Sequence, residues 1–269
     1  MNKAPIAYFT AFLFYFFSPS VVHAGTAIEP EISSPINTSS SLVTANKNIN
    51  LKIGGRVFAD ANWYEKTPYT TFGNRAQIRS ARLYMNAMIR EKWKGRIQIE
   101  FSGNQVSLQD IYIAYMPSDS LQFLIGNYEE PMGLESLASP KYIPFIENPI
   151  SNAFNPGRHI GAGIKYYPGS WMLNMGVFGG KVTDGNQGDS GMDIAGRLTW
   201  LPYEDSNGLI HVGGSVVYSL PGRLKTHSYS RNTESNMADA LLNTQTISNV
   251  SSYVTANAEV AFTRGPVSL

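Results

Sequence analysis

The chain has 269 residues and carries 21 Lys and Arg against 20 Asp and Glu, so bulk charge gives no reason to expect nucleic-acid binding. It has no cysteine and four scattered histidines, which excludes disulfides and Cys-based metal centres. The fold must rest on burial and backbone pairing, and no cofactor is expected.

Lys3 precedes an apolar run from Ile6 to Phe17, and Val22-His23-Ala24 supplies the small residues that a signal peptidase reads. Residues 1–24 therefore read as a cleaved secretory signal peptide whose apolar run is too short to span a bilayer. Its loss removes Lys3 and no acid, leaving a formally neutral mature chain. Residues 25–50 are rich in Ser, Thr, Asn and Pro and read as a flexible N-terminal segment. Nothing beyond them resembles a transmembrane helix, so any membrane crossing would be made by strands.

From Leu51 onward the hydrophobic period is two. In the first segment Leu51, Ile53, Val57, Ala59, Ala61 and Trp63 share one face. Lys52, Arg56, Asp60 and Asn62 share the other, with Phe58 an exception there. The next two strands, 81–90 and 93–101, alternate in the same way. Further strands are expected at about 108–116, 121–127, 159–167, 171–179, 192–201, 208–219 and 252–263. Most have the roughly 9–11 residues that cross a hydrocarbon core at a tilt. That makes ten strands, with the final Gly-Pro-Val-Ser-Leu reading as the start of an eleventh.

The connections alternate between short turns and long loops, the long ones being 65–75, 128–158, 180–191 and 220–251. Up-and-down outer-membrane barrels have this rhythm of short periplasmic turns and long outer loops. Trp63, Trp93, Trp171 and Trp200 all sit near a strand end on the apolar face, as in the aromatic girdles of such barrels. The expected fold is thus an all-β, antiparallel, up-and-down transmembrane barrel over residues 51–269.

Two stretches carry a family resemblance. They are "IRSARLYMNAMIREKWKGRIQIEFS" and "LQDIYIAYMPSDSLQFLIGNYEEPMGLESLASPKYIPFIE". Their order, from an Arg-rich strand start through a loop entry to a Phe-Ile-Glu run, resembles the phosphate-selective porin O and P family over about Gly54 to Leu269. The resemblance implies a sixteen-stranded, homotrimeric channel in the bacterial outer membrane, surrounded by lipid and passing small anions such as phosphate. Against sixteen strands, ten imply a chain truncated at its C-terminus. The resemblance also implies that the third long outer loop folds inward and narrows the pore. That position falls on the proline-rich stretch from Gly126 to Gly161.

A porin works through charge on its lumen wall. Strand parity turns Arg56, Arg82, Arg90, Lys94, Arg96, Lys165 and Arg197 inward as an anion path. Arg56 and Arg82 are expected near mid-height and the others nearer the short turns. Asp60, Glu100, Asp110 and Asp193 are the inward acids that could balance them. At the constriction loop stand Glu129 and Glu130, with Lys141 and Arg158 as their expected partners. Where the family tends to show Arg-Arg-Ala-Arg this chain has Arg79-Ser80-Ala81-Arg82, and Glu129 stands where the loop entry often carries Lys. Phosphate selectivity therefore transfers less directly than the channel itself. A general or differently selective porin, or a surface-binding barrel using the loop 220–251, stays open. An enzyme is not expected, because His211 lies near a periplasmic turn while His159 and His227 lie in or beside loops with no evident serine partner.

Overall fold

The computed structural model describes residues 48–63, 74–103, 106–140, 143, 146–184, 190–232, 237, 240–265 and 267–268. The expected signal peptide at 1–24, the expected flexible segment up to residue 47, and Lys141 lie outside the described residues.

Every segment of period two becomes a strand, and the strands of the main sheet pair antiparallel in chain order. In chain order they are β1 (Ile49–Asn62), β2 (Arg75–Ile89), β3 (Trp93–Glu100), β4 (Ser107–Ser118), β5 (Leu121–Glu129), β6 (Arg158–Tyr166) and β7 (Trp171–Phe178). Then come β8 (Gly191–Asp205), β9 (Gly208–Pro221), β10 (Ser230–Asn232), β11 (Ala240–Asn243), β12 (Tyr253–Arg264) and β13 (Val267–Ser268). The main sheet is 11-stranded, ordered β1 to β9, then β12 and β13, while β10 and β11 form a separate hairpin inside the last long loop. The eleventh strand is β13, which pairs with the end of β12. β2 and β8 run longer than the sequence pattern suggests, because backbone pairing continues where side-chain alternation has faded.

Tight turns close one end of the sheet. Between β2 and β3, Lys92 N donates to Ile89 O at 3.2 Å, while Arg90 and Glu91 take positive φ of 50° and 58°. This is the type I′ geometry whose twist matches the flanking strands. Arg90 was expected on the inner wall of a strand; it sits instead at the exposed corner of this turn.

The two faces of the sheet are reversed relative to a water-soluble protein. Ile125, Val254 and Val260 are 66%, 61% and 70% exposed on the outer face. On the inner face Gln98, Glu100, Asn174, Thr199, Ser215 and Glu259 are buried. Water-soluble folds hide the apolar side chains and show the polar ones. A continuous apolar exterior over strands of this length is a surface made for hydrocarbon.

The tryptophans mark its borders. Trp171 and Trp200 are cross-strand partners with stacked rings, centroids 5.1 Å apart, and Trp93 meets Tyr115 at 4.8 Å. These rings lie outward toward the short-turn end, whereas Trp63 follows β1 at the long-loop end. Amphipathic rings favour the boundary between hydrocarbon and water.

Ile125 tests this placement, since it lies at the centre of β5 on the outer face. Ile125→Arg is expected to cost about 2–4 kcal/mol in a bilayer, the range for a cation at the midplane. Ile125→Leu should be close to neutral. Denaturant unfolding in lipid vesicles makes the comparison, and an Arg penalty below about 1 kcal/mol would put this position outside the hydrocarbon.

Candidate functional site

The inner wall begins with a bulge. In the β1–β2 pairing Phe58 stands opposite Ser80 and Ala59 opposite Ile78, so Arg79 is the extra residue. A bulge turns two successive side chains to the same side. Arg79 and Ser80 therefore both face inward, together with Arg82. Strict parity turns Arg79 outward, so alternation alone leaves it off the inner wall. The Arg79-Ser80 polar doublet, which breaks the alternation, was the available signal.

Phe58, the exception on the polar face of β1, serves this cluster. The Arg79 and Arg56 guanidiniums lie 4.8 Å and 5.2 Å from its ring centroid, in cation–π range. Arg56 and Arg82 are direct partners across β1 and β2 at mid-strand, as expected. Carboxylates hold the group in place. Arg79 Nε meets Asp60 Oδ2 at 2.5 Å, and Arg82 Nε meets Glu100 Oε2 at 2.6 Å. Glu100 also accepts from Ser80 Oγ at 2.6 Å and from the Ala81 and Ser102 amides.

A second network crosses β3 to β6. Asp110 receives Arg96 at 3.2 Å and Arg158 at 2.7 Å, and Arg158 reaches on to Glu129 at 3.2 Å. Arg96 also lies over the Tyr84 ring, 5.4 Å from its centroid. The Glu129–Arg158 pair matches the sequence expectation. Lys94 and Lys165 share the inner parity of these residues and are half-buried. Arg197 forms a third group with Glu259 and His211, donating to Glu259 Oε1 through Nε at 3.1 Å and through Nη2; His211 Nε2 lies 2.9 Å from the same oxygen. Arg197 was placed near the short turn, but β8 extends to Asp205 and leaves it mid-strand.

The loop after β5 lies against this wall. Glu130 N donates to Gly157 O at 2.9 Å, closing the base of the loop. Pro131 and Met132 are buried, and Met132 joins an inward apolar cluster with Leu124, Tyr128, Phe178 and Val217. Tyr128 and Phe178 meet edge to face at 5.1 Å. Room for their rings comes from bare backbone. A Cβ on Gly161 would fall 2.5 Å from Phe178, and one on Gly163 would fall 2.6 Å from the Tyr128 hydroxyl.

From this seat the loop crosses the inner side of the sheet. Gly133 N donates to Ser215 Oγ of β9 at 3.2 Å. Six residues later Ser139 Oγ accepts from Arg56 Nη1 of β1 at 3.5 Å, and Glu147 Oε1 accepts from Arg79 Nη1 of β2 at 3.0 Å. Strands distant in the sheet order thus meet one loop, so the inner face is concave and the loop spans it. The last long loop closes over the far side through Arg231–Glu147 at 3.5 Å and Phe154–Tyr229 at 4.9 Å.

The base of the loop also gathers titratable groups. Glu130 is fully buried, and His159 Nδ1 lies 2.6 Å from its Oε1. Burial, joined by the nearby Asp193 carboxylate, pushes the Glu130 carboxyl up to about 7 against the opposing pull of the His159 hydrogen bond.

The Arg197–Glu259 pair yields a direct test, because breaking one partner of a buried pair strands the other charge. Glu259→Gln is expected to cost about 3–5 kcal/mol. Arg197→Met combined with Glu259→Leu should recover most of that loss. Thermal unfolding in detergent decides, and equal losses for the single and double variants would contradict it.

The comparisons with known proteins agree with this architecture. An uncharacterized protein of Caulobacter vibrioides is 27% identical over 130 residues, which cover 45% of this chain and 26% of that relative. The chain thus matches about a quarter of the length of that curated relative. The family model for phosphate-selective porin O and P matches residues 51–269, from the start of the period-two sequence to the last residue. With an antiparallel sheet that is apolar outside and charged within, this chain belongs to the phosphate-selective porin O and P family of outer-membrane porins.

Proposed function

We propose that this chain builds the wall of a water-filled outer-membrane channel for small hydrophilic solutes, with a bias toward anions such as phosphate. Family membership points to a membrane-embedded channel rather than an enzyme. The observation that supports a solute path is the reversal of the two faces, with charged and polar groups lining the concave side. By resemblance to the family, export on a cleaved signal peptide and assembly as a homotrimer belong to the same reading.

Support for the anion bias comes from the arginines of β1 and β2. Arg56 stands opposite Arg82, and the bulge adds Arg79 beside them. Like charges facing each other across a strand pair cost stability. Drawing anions into the passage is a reason to keep them there. Guanidiniums suit phosphate because paired N–H donors match its oxygens in a fixed fork. The loop from Glu130 to Gly157 reaches these arginines through Ser139 and Glu147, so the constriction in this reading runs between that loop and β1–β2. Lys94, Arg96, Lys165 and Arg197 continue the row along the wall.

A weakly selective porin is the second reading, and one observation favours it. Arg79, Arg82, Arg96, Arg158 and Arg197 each have a carboxylate oxygen no more than 3.2 Å away. Reversal potentials in planar bilayers under a salt gradient separate the two. The anion reading expects preference for chloride and phosphate over potassium, reduced by Arg56→Ala. Equal permeability of both ions would favour the weak porin, cation preference would sink the anion bias, and no conductance would sink the channel.

A further inference from the structure

The mouth of the wall holds a cluster that solute passage does not require. Glu130 opens the loop after β5, His159 belongs to β6 and Asp193 to β8. Their ligand atoms, one from each residue, lie within 4.8 Å of one another. Three separate elements thus deliver two carboxylates and an imidazole to one point.

Two further observations single the point out. Glu130 is 0% exposed, and its Oε2 meets no hydrogen-bond donor among the described residues, while its side-chain contact with Asp193 only brings up a second acceptor. A buried carboxylate oxygen normally finds at least one donor, because going without forfeits its hydration uncompensated. Independently, His227 from the loop after β9 has a buried Nε2 with no hydrogen-bond partner among the described residues. It lines the same cavity, of about 420 Å³, as His159 and Asp193. That cavity gives water and small ions a way in.

We propose that Glu130, His159 and Asp193 hold one divalent transition-metal ion, fastening the loop after β5 to β6 and β8. Borderline donors of this kind, imidazole with carboxylates, match Zn²⁺. Ligand distances near 2.0–2.2 Å set donors around one tetrahedral ion about 3.4 Å apart. Side-chain adjustments of up to about 1.4 Å bring the three donors, now within 4.8 Å of one another, to that spacing. Water from the cavity fills the remaining position. The ion offsets two carboxylates gathered in a buried place and meets the unsatisfied Glu130 oxygen. It would therefore stiffen the root of the loop without entering the arginine-lined passage. This site is independent of which solute the channel carries.

The test is Zn²⁺ alone, titrated by calorimetry into the full protein in detergent after removal of metals by chelation. About one equivalent is expected to bind, and thermal unfolding should shift upward on binding. Asp193→Asn keeps the size and shape of the side chain, and His159→Ala removes the imidazole. Each is expected to weaken Zn²⁺ binding at least tenfold, while heat-modifiable migration on gels shows that the barrel still forms. No stoichiometric binding to the wild-type protein, or binding that survives both substitutions, overturns the proposal. Should His159→Ala fail to fold, Glu130→Gln with Asp193→Asn reads out the same site.

Discussion

The constraint on which everything else depends is that a backbone in hydrocarbon must pair with itself. No water reaches the strands there, and each unpaired N–H or C=O would cost several kcal/mol. Eleven strands answer this by pairing in chain order, β12 joining β9 because the β10–β11 hairpin stands apart. Pairing then fixes parity, and parity decides which side chains meet lipid and which meet the interior. The apolar exterior, the aromatic borders and the charged inner wall all follow from one ladder of backbone hydrogen bonds.

The inner wall pays for its charge with ion pairs. Arg82 with Glu100, Arg96 and Arg158 with Asp110, and Arg197 with Glu259 are local groups spread along the sheet. Each holds a guanidinium at a set height and spares it full desolvation. The same pairs blunt the field that a passing ion would feel. In the proposed channel, selectivity would depend on the difference between rows of charges that nearly cancel, so the proposal of an anion bias rests on the arginine trio of β1 and β2 rather than on a count of cations.

The proline-rich loop joins the two themes. Its entry is seated by apolar burial at Pro131 and Met132, and its middle is tied by polar contacts to Ser215, Arg56 and Arg79. Prolines limit the conformations it must give up on docking. A short, seated root with a tethered middle is an arrangement that keeps a loop inside the wall rather than spread over its rim.

The sequence by itself determined the fold class, the run of strands, the alternation of short and long connections and the two faces. These depend on period two and on turn residues, and both are local properties. It also carried the inward placement of Arg56, Arg82, Arg96 and Arg197, because parity holds wherever the ladder is regular. Only the tertiary structure decided where the ladder is irregular. The bulge that brings Arg79 inside and the turn that takes Arg90 off the wall are one-residue events that parity cannot register. Nor could sequence show which acid meets which arginine, or that Glu130, His159 and Asp193 converge. Those residues are separated by 29 or more positions, and only the curvature of the sheet and the inward path of the loop bring them together.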